Sequence, residues 1–441
     1  MVFGTETEYG IVGPPGVDPA VASGGVIRGL RAAWCPGTED ENAVLGNGAR
    51  AYVDHAHPEY CTPEVTTPSD LVAHAAAGDV LMARAAAAAA EEVGGDVRLF
   101  KNNTDGRGAS YGSHENYLVP RSVPFEAIVA GLTAHLVTRL PLCGAGRVGL
   151  GRASSEPGFQ ISQRADFFEA LVGLETTRRR PIVNTRDEPH ADPRRWRRLH
   201  VIVGDATLAQ VATFVRFGAT ALVLTAIEAQ LPLPVLADPL GDLVRVSRDL
   251  TCRVPLQLAD GRTASALEVQ AEYLAAAREL AERAPDVLGV DTAAVLREWG
   301  SLLDDLRDDP ALVADRVDWA AKLALLNGFR RRDGLAWDAD RLVQIDLRYA
   351  EIDPGRSLYS TLLARGRMRR LVDRERIAAA LVHPPDDTRA YLRGHLVATY
   401  PRLVVAAGWD SMLMRDRDGA LVNLRMSDPL EHTAADVPWS P

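Results

Sequence analysis

The chain has 441 residues, of which 47% are hydrophobic and 24% are charged. This composition is typical of an ordinary globular protein and excludes a disordered or fibrous one, and at roughly 150 residues per domain the length allows one large domain with an appendage or two to three small ones. Acidic residues outnumber basic ones by 59 to 49, which gives a net charge of −10. Because this balance provides no bulk attraction for nucleic acid or for anionic lipid, we expect neither nucleic acid nor membrane among the partners.

The cysteines and the N-terminal segment indicate the cellular compartment. The four cysteines form no Cys-x-x-Cys pair and have no ligand-like spacing; they are Cys35, Cys61, Cys143 and Cys252. Neither a zinc knuckle nor a disulfide framework is indicated, which fits a reducing compartment. No basic region followed by an apolar run opens the chain, and no stretch approaches the roughly 18 uninterrupted apolar residues that spanning a membrane requires. We therefore expect a soluble, cytoplasmic protein.

Strand and helix patterns alternate irregularly along the chain. Segments with strand character are short and lie near Gly, Asn, Pro or Asp; they span residues 2–9, 51–55, 97–101 and 200–203. Longer segments have helical apolar spacing; they span residues 69–93, 128–140, 208–231, 264–284 and 319–329. Ser69 is the predicted N-cap of the first helix, and Gly94 and Gly95 are its stop signal. No repeating βαβ series is visible, so the sequence predicts an α+β fold.

A change in composition near the C-terminus predicts a domain boundary. Proline and acidic residues interrupt two helical stretches at residues 383–387. We place the boundary just before them, which gives a large domain of residues 1–380 and a small C-terminal domain of residues 381–441. Because about 60 residues bury little apolar surface, we expect the small domain to be docked on the large one.

The first candidate site residues lie in the first predicted strand. Glu6 and Glu8 are separated by one residue, so the two-residue period of a strand places both carboxylates on one face. Two anions on one face repel each other unless a cation or a proton lies between them. A solvated edge is the structural alternative for such a pair.

A second cluster lies between Asn47 and Tyr60. It contains several ionisable or polar side chains in close succession, a density that packing does not explain; they are Arg50, Tyr52, Asp54, His55, His57 and Glu59. Oxygen donors from this stretch and from the first strand suit Mg²⁺, a hard ion often shared with nucleotide phosphates; these donors are Glu6, Glu8, Tyr52 and Glu59. A zinc site at the two histidines is the less favoured alternative, because no Cys or third His has supporting spacing nearby.

Two further clusters are predicted to bind anionic or amide groups. Residues 101–116 are polar and rich in glycine, follow a predicted strand, and include His114; their amides and hydroxyls can bind phosphate or a carboxamide. The spacing of a Walker-type phosphate loop is absent. Residues 184–190 precede a run of arginines, and within this cluster we single out Arg186 for recognition of a terminal phosphate or carboxylate.

These motifs together resemble one family. The segments GTETEYG, NGARAYVDHAHPEY, KNNTDGRGASYGSHENY, SQRADF and NTRDEPHADPRRWRRLHVIVGDA are similar to those of the Pup ligase and Pup deamidase/depupylase family. The resemblance runs from Gly4 to about Pro429. Within the family, VDHAHPEY, ASYGSHENY, GLETT and residues 318–329 look like the depupylase branch.

The resemblance implies a fold, an activity and a set of roles. The fold would be glutamine synthetase-like, with a curved, mainly antiparallel sheet packed by helices and a small C-terminal domain. The activity would be hydrolysis of the isopeptide bond between Pup and a target lysine and deamidation of Pup's C-terminal glutamine, with ATP and Mg²⁺ as cofactors. The implied partners are Pup, pupylated proteins and proteasome-associated machinery. The residues in matching positions are the catalytic Asp54, the ATP-contacting Arg50, Thr62 and Trp409, and the metal-binding Glu6, Tyr52 and Glu59; Glu8, His114 and Arg186 lie in matching motifs.

Several alternatives remain open in the sequence. Asp54 could attack the amide carbonyl itself, or it could activate a water or a phosphate as a base. A Pup–protein ligase and a non-catalytic Pup-binding or nucleotide-binding regulator are the alternative functions. Residues 11–46 are shorter than the flexible insertion usual in depupylases, and the chain ends soon after Leu430; both departures concern regulation and Pup release.

Overall fold

A computed structural model describes residues 1–34, 42–416 and 418–435. The strands are, in chain order, β1 (Phe3–Glu8), β2 (Gly10–Val12), β3 (Ala43–Val44), β4 (Arg50–Asp54), β5 (His57–Cys61), β6 (Arg98–Phe100), β7 (Ser113–Pro120), β8 (Arg147–Leu150), β9 (Glu156–Gln160), β10 (Phe168–Gly173), β11 (Arg180–Asn184), β12 (Trp196–Val201), β13 (Leu256–Gln257), β14 (Thr263–Ala264), β15 (Val404–Ala407), β16 (Ser411–Arg415) and β17 (Leu421–Arg425).

The α-helices are α1 (Pro19–Trp34), α2 (Pro68–Val93), α3 (Phe125–Thr138), α4 (Leu140–Cys143), α5 (Gln210–Glu228), α6 (Pro239–Arg248), α7 (Ala266–Arg283), α8 (Thr292–Asp308), α9 (Asp318–Asp333), α10 (Asp340–Ala350), α11 (Leu358–Ala364), α12 (Arg374–Ala380) and α13 (Ala390–Thr399). Helices and strands follow one another without a βαβ repeat, which confirms the predicted α+β class.

A six-stranded antiparallel sheet organises the molecule. Its strand order is β12-β7-β1-β5-β4-β3, and each neighbouring pair is antiparallel. Because side chains alternate along a strand, one face of this sheet carries apolar residues and the other carries polar ones. On the apolar face, the Phe3 ring lies 6.0 Å from Tyr117 of β7 and 6.2 Å from Phe217 of α5. The opposite face is left to charged and polar side chains.

Helix α5 forms the centre of the core on the apolar side of the sheet. Among the residues that the structure describes, it is one of two helices that are long and apolar enough to span a membrane by length and composition alone; α2 is the other. Within the most apolar window of each helix, 94% of α5 and 56% of α2 is buried inside the protein. Packing in the core therefore accounts for the apolar character of both helices.

The predicted helices are present, with differences at their ends. Helix α2 begins two residues earlier than expected: Thr67, rather than Ser69, is the N-cap, and its hydroxyl accepts a hydrogen bond from the Asp70 amide. Ser69 lies inside the first turn because Pro68 occupies the first helical position, where its missing N–H is no loss. Gly94 ends the helix with a positive φ of 75°, as predicted.

Two predictions about strands were wrong in their bounds. Only residues 200–201 of the segment predicted at 200–203 belong to a strand; they are the end of β12, which spans Trp196–Val201. The polar stretch 101–116 is only partly a loop, because β7 begins at Ser113. Polar residues at alternate positions of β7 hide its strand character, since the strand borders a polar face.

Ion pairs of Glu64 connect the C-terminal part of the chain to the segment that follows β5. Helix α13 precedes a three-stranded antiparallel sheet formed by β15, β16 and β17. Glu64, which follows β5, pairs with Arg389 at 2.9 Å and with Arg393 of α13. The boundary between residues 380 and 381 stays a prediction.

Candidate active site

The polar face of the sheet gathers titratable side chains from four adjacent strands. In the antiparallel register, Glu6 lies opposite His114 of β7, and Glu8 lies opposite Glu59 of β5. Glu59 in turn lies opposite Tyr52 of β4. Residues that pair across strands project to the same face, so segments distant in the sequence meet here.

The first group of this face surrounds Glu6. Its carboxylate lies 3.1 Å from His114 Nδ1 and 3.7 Å from His200 Nε2, and it accepts a hydrogen bond of 2.9 Å from Asn116. Arg198 lies 3.5 Å from the same carboxylate. Burial alone would raise the pKa of Glu6, but the imidazoles of His114 and His200 bring it well below its ordinary value. Glu6 is therefore ionised at neutral pH.

The second group consists of Glu8, Asp54 and Glu59, each of which offers an oxygen within 4.8 Å of the others. Tyr52 donates a hydrogen bond of 3.0 Å to Glu59. Burial, together with the nearby charges of Glu6 and Glu8, raises the pKa of the Glu59 carboxyl well above its ordinary value. These carboxylates repel one another on a largely buried surface.

The oxygen donors of the second group fit a hard divalent cation. Across the parts of the chain that the structure describes, no lysine or arginine lies within 4.0 Å of Glu8, Asp54 or Glu59. Buried carboxylates that lack a counter-charge are stabilised by binding a metal ion, and an oxygen-rich set suits Mg²⁺. Glu6, His114 and His200 form a second group with ligand atoms within 4.8 Å of one another. The face therefore has two adjoining groups of side chains that could hold a metal ion.

A tight hairpin presents Asp54 at the edge of this face. Strands β4 and β5 are joined through His55 and Ala56, which have positive φ angles of 44° and 72°, as the favoured two-residue hairpin turns require. Asp54 pairs with His57 across the hairpin, and its carboxylate lies 2.9 Å from His55 Nδ1. The Asp54 side chain is 38% exposed, so an incoming substrate can reach it.

Two cavities open on the polar face and meet at Glu6. The Trp409 cavity is lined by Val2, by β1 from Phe3 to Glu6, by Thr62 and by Trp409. The Asp54 cavity contains the carboxylates described above. Strand β1 thus runs from the Trp409 cavity, at residues 3–6, into the Asp54 cavity at Glu8.

The structure brings nearly all of the predicted site residues to these two cavities. Those that line the Asp54 cavity are Glu6, Glu8, Tyr52, Asp54, Glu59, His114 and Arg186. Thr62 and Trp409 line the Trp409 cavity. Arg50 lies between them, with its guanidinium carbon 5.5 Å from the Tyr52 ring centre and 6.0 Å from that of Trp409. The roles of these residues stay predictions.

The histidines proposed for the zinc alternative have other contacts. His57 stacks on Tyr111 at 4.3 Å, and its Nδ1 lies 3.0 Å from the Tyr9 carbonyl oxygen. His55 is exposed beside Asp54, and hydrogen bonding to Asp54 raises its pKa. Cys61 is free and buried near Glu59, and Cys35 lies outside the described residues.

Three basic residues of the Asp54 cavity were not among the predicted site residues: His200, Arg164 and Arg180. His200 ends the run of arginines in β12, where its alternation with Arg198 was the available signal. Arg164 and Arg180 lie far along the chain from the acidic motifs. Burial and the neighbouring charge of Arg180 lower the pKa of Arg164 to about 10, so Arg164 remains cationic at neutral pH.

Comparison with known proteins gives one consistent result. The Pup-ligase protein family matches residues 1–413. The depupylase of Acidothermus cellulolyticus is 50% identical over 405 residues, which cover 90% of this chain and 80% of that protein. The Pup deamidase/depupylase of Mycobacterium tuberculosis is 43% identical over 99% of this chain and 95% of that protein.

Two solved structures share the fold. The complex between the prokaryotic ubiquitin-like protein Pup and its ligase PafA has a TM-score of 0.88 and 36% identity, covering 98% of this chain and 88% of that one. The Pup ligase PafA in complex with ADP has a TM-score of 0.82 and 37% identity, covering 96% and 93%. The fold is thus glutamine synthetase-like, as the sequence motifs implied.

Proposed function

The chain belongs to the Pup-ligase protein family, and we propose that it acts there as a depupylase and Pup deamidase, with ATP as a cofactor. Its substrates would be pupylated proteins and Pup that ends in glutamine, and its place of action would be the cytoplasm. The observation that carries this proposal is the position of Asp54. An accessible carboxylate at the edge of a buried acidic face is placed to act on a side-chain amide bound in the same cavity.

The two cavities suggest how the cofactors would be held. We assign the nucleotide base to the Trp409 cavity, where Thr62 and Trp409 would contact it, and the phosphates to the junction at Glu6, near Arg50 and Arg186. The proposed metal ligands are Glu6, Glu8, Tyr52, Glu59 and His114. Bound Mg²⁺ would offset the negative charge of these carboxylates and of the phosphates.

Asp54 is the catalytic group in this proposal. It acts on the amide carbonyl either as the attacking nucleophile or as the base that activates the attacking oxygen. Its carboxylate lies 2.9 Å from His55 Nδ1. Both roles require an ionised carboxylate. Either role therefore predicts that Asp54→Asn loses activity.

A Pup–protein ligase is the alternative, and the likeness to the two PafA structures favours it. The sequence identity to two proteins named for depupylation is 50% and 43%, which is higher than the 36% and 37% identity to the PafA structures. This difference supports the depupylase. A non-catalytic regulator is disfavoured because Asp54 is present in the cavity.

The deciding experiment follows a fluorescent Pup–target conjugate and ADP formation in one reaction. A depupylase releases many target molecules for each ATP hydrolysed, and it still releases target with a non-hydrolysable ATP analogue. A ligase supplied with Pup, target and ATP forms one conjugate for each ADP. Conjugate formation in that stoichiometry, without release, would exclude the depupylase.

A further inference from the structure

The turn that follows Asp54 holds two residues in the left-handed backbone region. His55 and Ala56 have φ angles of 44° and 72°, a conformation that is costly for a residue with a Cβ atom and that persists only where neighbouring contacts maintain it. The His55 ring beside Asp54 is 71% exposed, so it gives the carboxylate little support. The direction of Asp54 therefore depends on contacts that fix the backbone of this turn.

A buried serine of α1 makes one such contact. Ser23 is fully buried, and its hydroxyl donates a hydrogen bond of 2.7 Å to the Ala56 carbonyl oxygen. The next residue is held by a different segment, because His57 Nδ1 lies 3.0 Å from the Tyr9 carbonyl oxygen. The Tyr9 amide in turn donates a hydrogen bond of 3.0 Å to the Pro58 carbonyl oxygen. Helix α1 and the residue that follows β1 thus hold consecutive residues at the end of the turn.

Helix α1 is itself closely packed, which gives its serine a fixed position. Two glycines bring α1 close to α2. A Cβ atom added at Gly25 would lie 3.2 Å from the Val93 side chain, and one added at Gly29 would lie 3.0 Å from a backbone oxygen of α2. Three apolar residues of α1 are buried in the same core cluster as Ala51 of β4; they are Val26, Ile27 and Leu30. Because α1 packs closely against α2 and shares a core with β4, it is a rigid support for the turn.

We propose that Ser23 is a positioning residue for catalysis, because its hydrogen bond to the Ala56 carbonyl oxygen fixes the turn and with it the direction of the Asp54 carboxylate. This inference rests on the proposed function, in which Asp54 acts on the amide carbonyl. The turn starts directly after Asp54, so a rotation of the Ala56 peptide changes the course of the chain at Asp54. The rate of a chemical step is sensitive to displacements of about 1 Å, whereas we assign nucleotide binding to other residues. Loss of this bond should therefore lower kcat and leave KM nearly unchanged.

Substitutions of the serine test this role. Ser23→Ala should lower kcat for release of target from a fluorescent Pup conjugate by at least about tenfold, and KM and the affinity for ADP should stay within about twofold of the wild-type values. Ser23→Thr keeps the hydroxyl and should recover most of kcat. The matched control is Thr133→Ala, which removes a buried hydroxyl that bonds to the Val129 carbonyl oxygen within α3 and should keep wild-type kcat. Wild-type kcat in Ser23→Ala would overturn the inference.

A double-mutant cycle shows whether the serine acts through Asp54. The residual release of target in Asp54→Asn is compared with that in the variant that also carries Ser23→Ala. Because residues that act as a unit have non-additive effects on rate, the second substitution should lower the residual release by less than about twofold. A further loss as large as that caused by Ser23→Ala alone would show that the serine acts elsewhere, and the inference would be wrong.

A measurement without turnover separates this inference from the proposed function. Amide hydrogen exchange is followed in the wild-type protein and in Ser23→Ala, over residues 54–61 and over the core helix α5. Exchange at residues 54–61 should be about fivefold faster in the variant, as expected for the loss of one hydrogen bond, and exchange in α5 should be unchanged. If the wild-type protein cleaves no conjugate but the turn exchanges faster in Ser23→Ala, the support of the turn stands and the proposed activity fails. Equal exchange at the turn in both proteins would contradict the assignment of Ser23.

Discussion

Glu8 of β1 lies directly opposite Glu59 of β5 in the antiparallel sheet, and these side chains are 8% and 2% exposed. Like charges in directly opposed positions destabilise a sheet. The fold therefore maintains a repulsive pair whose repulsion a bound cation would relieve.

This pair predicts opposite effects of one substitution. Glu59→Gln should stabilise the metal-free protein by about 1 kcal/mol, because it removes a like-charge contact, and should weaken Mg-ATP binding by at least about tenfold, because it removes an anionic donor. Urea unfolding without Mg²⁺ and calorimetric titration with Mg-ATP measure the two effects. Glu91→Gln, at an exposed position of α2, is the control for loss of charge. Unchanged affinity would remove Glu59 from the metal site.

A substitution of Asp54 tests its assignment as the catalytic group. Asp54→Asn keeps the shape of the side chain but removes the charge that both catalytic roles need. Release of target from a Pup conjugate should fall by about 10² to 10⁴-fold, while ATP affinity should stay within about twofold of the wild-type value. Single-turnover release and nucleotide titration give both numbers. Undiminished release would exclude Asp54 from the mechanism.

Trp409 tests the position of the nucleotide base. Its indole lies 4.9 Å from the guanidinium carbon of Arg393 and lines the cavity next to Thr62. Stacking on an aromatic ring contributes about 1–3 kcal/mol per base, so Trp409→Ala should weaken ADP binding about tenfold, and Trp409→Phe should retain most of it. Calorimetry with ADP checks this. Equal affinities in the Ala variant and the wild-type protein would place the base elsewhere.

The ion pair of Glu64 predicts a specific pH dependence of stability. Burial alone would raise the pKa of Glu64, but the charges of Arg393 and Arg389 bring it down to about 2, from an ordinary 4.5. Because the folded state has the lower pKa, the contribution is complete above about pH 4.5 and is lost as the pH falls towards 2. The loss should amount to about 3 kcal/mol.

Urea unfolding of the wild-type protein and of Glu64→Gln between pH 7 and pH 2 measures this contribution. At pH 7 the variant should be about 3–5 kcal/mol less stable, because two buried arginines lose their partner, and the difference should shrink in acid. A difference that stays constant with pH would show that Glu64 is not the titrating partner. Glu91→Gln again serves as the control.

The motifs of the site could be recognised from the sequence because each is local. The alternation of Glu6 and Glu8, and the dense stretch from Arg50 to Glu59, are visible in short windows, and strand periodicity correctly places alternate residues on one face. Five helices were predicted for the same reason, since their apolar spacing repeats over several turns; they are α2, α3, α5, α7 and α9. Helices α1 and α8, which are 16 and 17 residues long, were not predicted. Strand β7 was partly read as a loop, because His114 and Asn116 on its polar face interrupt the apolar pattern.

The partners of those motifs could not be found in this way. Arg164 and Arg180 line the Asp54 cavity and donate hydrogen bonds to Ser110. Arg164 lies in the SQRADF segment, but nothing in that segment or around Arg180 indicates an anion site. His200 approaches Glu6 only because β12 pairs with β7, and β7 with β1.

The sequence by itself determined which short segments carry carboxylates, imidazoles and guanidinium groups, and how these alternate along each strand, because local backbone geometry sets the direction of successive side chains. Only the tertiary structure decided which segments face one another. Strand order, register and the distances between charges depend on long-range packing. This packing sets Glu8 opposite Glu59 and brings Arg164 and Arg180 to the same cavity.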